Sequence, residues 1–227
     1  MQKELNAKIF INGYLKNMKL SNFKINQKNL LYKFNEDSIR LLHMIKTLPP
    51  NAYVADLGAG SGIISIGISK NFIVKTIHSF EIFKDSYESL KNNIDLNKCK
   101  SIIPLNQNYN ALKNKEFINY YNLIISNPPY FKENEGKLPK SKALQYARHE
   151  IAANLKDIIK IARKCLKNKG RLIFCYPQNR NSEVLNEIKN KNLFLKKKEI
   201  LKNKKRSLIF YEFIKLLPKA SNNTLKK

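Results

Sequence analysis

The chain has 227 residues, 43% of them hydrophobic, which suits one α/β domain and excludes a chain that is disordered throughout. No apolar run approaches the roughly 20 residues that span a bilayer, and no apolar segment follows residues 1–8, so we expect neither a membrane protein nor a signal peptide. The 43 Lys and Arg residues outnumber the 17 Asp and Glu residues, and this formal net charge of +26 favours a polyanionic partner. An AT-rich genome would also enrich lysine, so charge alone identifies no ligand.

The cysteines and histidines show no metal-binding spacing. Cys99, Cys165 and Cys175 lie far apart and form no CxxC pair, which indicates free buried thiols in a reducing cytoplasm. The three histidines are equally dispersed. We therefore expect a cytoplasmic protein without a metal site.

Apolar patterns, taken in chain order, predict alternating helices and strands. They indicate a helix over 37–47, a strand over 53–57, a helix over 63–70, a strand over 74–81, a helix over 85–96, strands over 102–105 and 121–126, a helix over 149–166 ended by Gly170, a strand over 171–176, a helix over 182–190, and strands over 194–201 and 207–214. This alternation predicts a doubly wound, mostly parallel seven-stranded sheet whose last two strands form an antiparallel hairpin. The predicted division is an N-terminal extension over 1–30, one α/β domain over 31–215 and a basic, disordered tail over 216–227.

A glycine-rich loop, Asp56-Leu57-Gly58-Ala59-Gly60-Ser61-Gly62, follows the first strand and opens a helix. Glycine permits positive φ and close approach of a ligand to the backbone. The loop lacks the GK[ST] of a P-loop and the glycine spacing of a dinucleotide fingerprint. The remaining pattern, acidic-x-G-x-G-x-G, is typical of a loop that binds S-adenosylmethionine, in which Asp56 organises the loop or contacts the cofactor's ammonium group. A purely structural glycine turn is the alternative.

A glutamate and an asparagine mark the ends of two further strands. Glu81 ends the second strand, where a carboxylate can accept hydrogen bonds from both hydroxyls of a ribose. A solvated surface charge is the alternative at such a position. After the third strand comes Asn106-Gln107-Asn108.

The tetrapeptide Asn127-Pro128-Pro129-Tyr130 follows the apolar strand over 121–126. An amino nitrogen conjugated to a ring is a weak nucleophile, and two acceptors on its N–H groups can free its lone pair. The Asn127 side-chain oxygen and the Pro128 carbonyl can supply them, in a turn that the prolines stiffen. The Tyr130 ring can stack on a flipped base. Prolines that merely stop the strand are the alternative.

These motifs resemble those of a known family. Residues 56–62, Glu81 and the S-N-P-P-Y-F of residues 126–131 resemble the amino-methyltransferases of the class I, Rossmann-like fold. More specifically, residues 32–38 resemble the F-x-F-S-x-D-S/A entry segment of bacterial tRNA(Val) adenine-37 N6-methyltransferases. The A-R-H-E of residues 147–150 resembles the segment that follows their catalytic loop.

The resemblance implies S-adenosylmethionine-dependent methylation of an adenine N6 in tRNA, with a partner tRNA and a monomeric enzyme that needs no membrane or metal. The implied catalytic residues are Asn127, Pro128, Pro129 and Tyr130. The implied cofactor-binding residues are Asp37, Asp56, Gly58, Gly60, Gly62, Glu81 and Asn108. The implied RNA-binding residues are Arg148, Lys204, Lys205 and Arg206. Asn108 departs from the family, which usually carries an Asp beside the cofactor's adenine.

Other functions share parts of this pattern. A glutamine methyltransferase of the release-factor type uses the same NPPY, but it carries a helical N-terminal domain for which the segment before the first strand is too short. A DNA adenine methyltransferase needs a target-recognition domain, and no segment of this sequence is long enough to form one. A ribosomal-RNA amino-methyltransferase stays open. A non-catalytic RNA-binding protein would explain the charge but not NPPY beside a glycine loop.

Overall fold

The computed structural model describes residues 24–26, 36–113, 115–128, 155–202 and 207–218. The helices within these ranges are α1 (Glu36–Met44), α2 (Ile63–Asn71), α3 (Lys84–Leu96), α4 (Leu155–Cys165) and α5 (Asn181–Ile188). The strands are β1 (Ala52–Leu57), β2 (Val74–Phe80), β3 (Ile102–Leu105), β4 (Tyr121–Ser126), β5 (Leu166–Pro177), β6 (Leu193–Lys202) and β7 (Ser207–Lys215). Short 3₁₀ helices follow β3, over Tyr109–Lys113 and Lys115–Phe117, and β5, over Gln178–Arg180.

The strands form one seven-stranded sheet in the order β3-β2-β1-β4-β5-β7-β6. The pairs from β3 across to β5 are parallel, whereas β7 runs antiparallel to both β5 and β6. This arrangement confirms the predicted doubly wound sheet and its C-terminal hairpin. The chain order reverses between β1 and β4, so the carboxyl ends of these strands form the crevice in which such sheets bind ligands.

The central strands are buried on both faces, as expected for parallel strands covered by helices. Val54 of β1 and the run Leu123–Ile125 of β4 are fully buried, as are Leu41 and Leu42 of α1 and Ile66 of α2. This core fixes β1 and β4 rigidly, so the loops that follow them start from well-defined positions. No described helix is both long and apolar enough to cross a membrane.

The structure corrects the prediction that Gly170 ends a helix. The described part of that helix, α4, ends at Cys165, and β5 begins at Leu166 and includes Gly170. The pairing of β4 with β5 shifts between Tyr121 and Leu123, which leaves room for extra residues in β5. A β-carbon on Gly170 would lie 3.0 Å from the Tyr121 carbonyl oxygen, so close backbone approach accounts for this glycine. Residues 149–154 of the predicted helix lie outside the described residues.

Other boundaries differ by a few residues. The first helix ends at Met44 rather than residue 47, ahead of the two prolines at positions 49 and 50. β2 ends at Phe80, so Glu81 is the first residue after the strand rather than its last.

Candidate active site

The glycine loop turns sharply between β1 and α2. Gly58, Gly60 and Gly62 have φ values of 78°, 56° and 89°, which side-chain-bearing residues rarely adopt. The amides of Gly58 and Ala59 donate to the Phe80 carbonyl at 3.0 and 2.8 Å, which ties the loop to the end of β2. A β-carbon on Gly58 or Gly60 would meet no atom within 4 Å. The backbone there borders open space, as a ligand-binding loop requires.

Glu81 lies against this loop. Its Oε2 accepts a hydrogen bond from the Gly60 amide at 2.8 Å, and its Oε1 accepts one from the Phe83 amide at 2.9 Å. Burial raises the pKa of Glu81, and the backbone amides oppose this shift by stabilising the charged form. Each carboxylate oxygen has a further lone pair, so Glu81 can hold the loop and still accept a hydroxyl of a ligand.

Asp56 lies beneath the loop and is fully buried. Its Oδ2 accepts a hydrogen bond from the Ser65 hydroxyl of α2 at 2.6 Å, and Ser65 contacts the Ser79 hydroxyl of β2 at 2.7 Å. Burial raises the pKa of Asp56 to about 7, with a smaller contribution from the charge of Glu81. Of the two roles predicted for Asp56, organisation of the loop is the one that these contacts support.

Two asparagines follow β3. The side chain of Asn108 accepts a hydrogen bond from the Asn110 amide at 2.8 Å and so caps the 3₁₀ helix. Asn106 instead donates to the carbonyls of Glu81 and Ile82, at 2.9 and 3.2 Å. Asn106 thus adds to the backbone hydrogen bond from the Glu81 amide to the Leu105 carbonyl, at 3.0 Å, which also joins the ends of β2 and β3. The role of Asn108 beside a cofactor adenine stays a prediction.

Asn127 follows β4 at the same edge of the sheet. Its side-chain Nδ2 donates to the Ser38 hydroxyl at 3.0 Å, and its Oδ1 accepts a hydrogen bond from the Cys175 thiol at 3.2 Å. The preceding residue, Ser126, donates to the Leu57 carbonyl at 2.8 Å and so connects β4 to the start of the glycine loop. The Asn127 carboxamide therefore lies between α1 and β5, next to β1.

The neighbours of Asn127 are well shielded from water. Pro128 is buried, and Asp37, in the first turn of α1, is completely buried next to Ser38. Ser38, in the first turn of α1, thus lies against the end of β4. The sequence indicated Ser38 only as the last residue of the entry segment and Cys175 only as a buried thiol, and neither was predicted to contact Asn127.

The remaining predicted site residues lie outside the described residues: Pro129, Tyr130, Arg148, Lys204, Lys205 and Arg206. The strand ends on either side of residues 203–206 are described. Lys202 pairs with Ser207, and Leu208 pairs with Pro177 at the carboxyl end of β5. Lys202 and Ser207 therefore lie at the edge of the sheet that carries Asn127 and the glycine loop.

A short N-terminal segment, Lys24-Ile25-Asn26, binds α3 through asparagine side chains. Asn97 accepts from the Lys24 amide and donates to its carbonyl, at 2.9 and 2.7 Å. Asn93 makes the same pair of contacts with Asn26, at 2.8 and 3.0 Å, and also donates to the Ser61 carbonyl in the glycine loop at 2.8 Å. Asn93 thereby links the N-terminal segment to the loop.

Among the described residues, no group of three or more His, Cys, Asp or Glu side chains is arranged to hold a metal ion. The described part of the site is built from backbone amides, carboxylates and a carboxamide. These groups suit an organic ligand with hydroxyl and amino groups.

Known proteins resemble this chain over most of its length. A family model described as the methyltransferase small domain matches residues 33–209. The tRNA1(Val) (adenine(37)-N6)-methyltransferase of Christiangramia forsetii is 25% identical over 209 residues, covering 87% of this chain and 84% of that relative. The release factor glutamine methyltransferase of Fusobacterium nucleatum is 27% identical over 164 residues, covering 69% of this chain. The match spans 45% of the length of that relative, which is less than half.

A solved structure has the same fold. The tRNA m1G37 methyltransferase of M. jannaschii aligns with a TM-score of 0.61 at 19% identity, covering 87% of this chain and 58% of that one. At this identity, the similarity concerns the arrangement of the sheet and helices.

Proposed function

Because this chain belongs to the methyltransferase small domain family, we propose that it transfers a methyl group from S-adenosylmethionine to the N6 amino group of an adenine in tRNA. The proposed target is adenine 37 in the anticodon loop of tRNA(Val). The observation that carries the proposal is the pairing of Leu57 with Ser126. Neighbouring strands lie about 4.8 Å apart, so this pairing puts the glycine loop and Asn127 side by side. The proposed enzyme acts as a monomer in the cytoplasm.

The glycine loop and Glu81 are the residues that would hold the cofactor. The open space against Gly58 and Gly60 admits a ligand directly onto the backbone. Glu81 would accept the ribose hydroxyls with the lone pairs that the Gly60 and Phe83 amides leave available. Asp56 would support the loop from beneath through Ser65. When bound, S-adenosylmethionine supplies an electrophilic methyl group.

Asn127 and Pro128 would prepare the amino group for attack. The Asn127 oxygen and the Pro128 carbonyl would each accept one N–H of the adenine N6, which shifts the nitrogen towards tetrahedral geometry and frees its lone pair. The new bond joins N6 to the methyl carbon as the bond from that carbon to sulfur breaks. The surplus proton on N6 is acidic after transfer and leaves to solvent, so no side-chain base is required.

Two observations support tRNA as the substrate. The tRNA1(Val) relative aligns along nearly the whole of both chains, with 87% and 84% coverage. Lys204, Lys205 and Arg206 lie in the chain between Lys202 and Ser207, which pair with each other at the same edge of the sheet as Asn127. Basic side chains at that edge would contact the phosphates on either side of a flipped base. A base in a single-stranded loop costs less to extrude than one in a duplex.

A second candidate is methylation of a glutamine side chain in a release factor. The 27% identity to the release factor glutamine methyltransferase of Fusobacterium nucleatum favours it. A glutamine amide is also a conjugated nitrogen, so the same acceptors on Asn127 and Pro128 would serve it.

One experiment separates the two candidates. Purified protein and methyl-labelled cofactor are incubated with unmodified tRNA(Val), with the same tRNA carrying guanine at position 37, and with a release factor. We expect N6-methyladenosine in the nucleosides of the first tRNA alone, with Asn127→Ala protein as the control for contaminating enzymes. Label in the release factor with none in tRNA would replace the proposal by glutamine methylation.

A further inference from the structure

We propose that Ser38 and Cys175 are positioning residues that set the orientation of the Asn127 carboxamide, so that its oxygen faces the acceptor amino group. The proposal deepens the proposed function, because it takes Asn127 as the side chain that contacts that amino group. Ser38 belongs to α1 and Cys175 to β5, so two separate elements hold one side chain.

The contacts occupy the two ends of the carboxamide separately. Nδ2 donates to the Ser38 hydroxyl at 3.0 Å, and Oδ1 accepts from the Cys175 thiol at 3.2 Å. Ser38 is 4% exposed and Cys175 is fully buried, so water competes poorly for either contact. Hydrogen bonds in such surroundings are stronger than those at the surface.

The orientation matters because the two ends of a carboxamide have almost the same shape and opposite hydrogen-bonding properties. Rotation by half a turn would replace the acceptor oxygen by an N–H donor. A donor facing the amino group of a substrate would remove one of the two acceptors that free its lone pair. Packing alone cannot prevent this rotation, so the partners must.

The two partners contribute differently. A serine hydroxyl both donates and accepts, so Ser38 alone would tolerate either orientation. A thiol is a weak donor and a poor acceptor, so Cys175 favours the orientation in which the oxygen faces sulfur. Ser38 thus anchors the side chain, and Cys175 selects its orientation.

The test measures single-turnover methyl transfer at saturating cofactor, with the fraction of competent sites counted from cofactor-binding stoichiometry. We expect Cys175→Ala and Ser38→Ala to slow transfer about fivefold, the effect of one typical hydrogen bond, with unchanged cofactor affinity. Cys175→Ser keeps a donor at the same place but can also accept, so its rate should lie between that of Cys175→Ala and that of the original protein.

A second buried thiol provides the matched control. Cys165 is also fully buried and donates to a backbone carbonyl, that of Leu112, at 3.2 Å, away from Asn127. Cys165→Ala and Cys165→Ser should change thermal stability without changing the transfer rate per competent site. A Cys175→Ala protein as fast as the original, or Cys175→Ala and Cys175→Ser proteins slowed equally, would overturn the role of Cys175. A Ser38→Ala protein at the original rate would overturn that of Ser38.

The result is independent of the identity of the acceptor. If the original protein leaves tRNA unmethylated and labels a release factor, the proposed function fails, and the same variants are compared on the release factor. Rate ratios between variants then test the positioning proposal, because a glutamine amide needs the same acceptor oxygen.

Discussion

The Gly60 amide donates to Oε2 of Glu81 at 2.8 Å, so the carboxylate assigned to the cofactor ribose also holds the glycine loop. Glu81→Ala should therefore weaken S-adenosylmethionine binding by about 1–3 kcal/mol, because a buried hydrogen-bonding partner is lost. Calorimetric titration measures this change. Glu88→Ala, which removes an exposed glutamate of α3 that pairs with Lys91, is the control and should leave affinity unchanged. Equal affinity in both variants would remove Glu81 from the cofactor site.

Asp56 should make stability depend on pH. Burial raises its pKa from the ordinary 3.8 to about 7, so the folded protein binds the proton more tightly than the unfolded chain does. The sign follows: the free energy of unfolding falls as pH rises from 3.8 to about 7, and is level with respect to this group above that range.

Asp56→Asn removes this titration and keeps an oxygen that can accept from Ser65. The variant should lose less stability than the original protein between pH 4 and pH 7, as measured by urea unfolding across about that range. His43 and His78, whose pKa values burial lowers, are present in both proteins, so their opposite effect cancels in the comparison. Parallel stability curves for the two proteins would show that Asp56 does not titrate in this way.

Asn93 and Asn97 allow the N-terminal segment and the glycine loop to be tested separately. Both hold the backbone of Lys24–Asn26, but only Asn93 also donates to the Ser61 carbonyl. Each change to Ala should lower the free energy of unfolding by about 1–3 kcal/mol, because each removes at least two partly buried hydrogen bonds to the segment's backbone, worth about 0.5–1.5 kcal/mol apiece. Only Asn93→Ala should also weaken cofactor binding. Equal cofactor affinity in Asn93→Ala and Asn97→Ala would show that the contact of Asn93 with the Ser61 carbonyl does not influence the cofactor site.

The sheet followed from the sequence because buried parallel strands are continuous apolar runs, as Leu123–Ile125 illustrates. The glycine loop and Asn127 were identifiable because each has a local motif. Cys175 and Asn93 have none, and the entry segment that contains Ser38 does not indicate a contact with Asn127. Ser38 lies 89 positions from Asn127, and Cys175 lies 48 positions from it. Contacts between residues so far apart in the chain are set by the tertiary fold, and no periodic pattern in the sequence predicts them.

Gly170 and Asn106 illustrate a different limit. A glycine after a helical pattern usually indicates a helix end, but here the approach of the Tyr121 carbonyl to β5 requires it. Asn106 and Asn108 are equivalent by spacing after β3, and only the structure shows that Asn106 contacts the Glu81 carbonyl. The sequence shows which polar side chains follow β3, but it does not show which of them the fold brings into contact with β2.

The basic hairpin should contribute to tRNA binding. Reversing Lys204, Lys205 and Arg206 to Glu should weaken binding and flatten its salt dependence, because fewer counterions are released from the phosphates. Fluorescence anisotropy with labelled tRNA at several salt concentrations measures both quantities. The control reverses Lys75, Lys98 and Lys100, which lie near the amino ends of β2 and β3. If both triple variants lost the same amount of tRNA affinity, tRNA would be attracted by the net charge of the protein and not by a defined binding surface.

Asn127 and Tyr130 should affect chemistry rather than cofactor binding. Asn127→Ala removes one of the two acceptors on the amino group and should slow single-turnover transfer by roughly 10²–10³-fold, as loss of a preorganised hydrogen-bonding group does. Its contacts with Ser38 and Cys175 are made with α1 and β5 rather than with the glycine loop, so cofactor affinity measured by calorimetry should stay the same. Tyr130→Phe should keep most activity, since only the ring face stacks on a base, whereas Tyr130→Ala should lose about 1–3 kcal/mol of stacking. If Asn127→Ala weakened cofactor binding and left the transfer rate unchanged, Asn127 would belong to the cofactor pocket and the two-acceptor mechanism would be wrong.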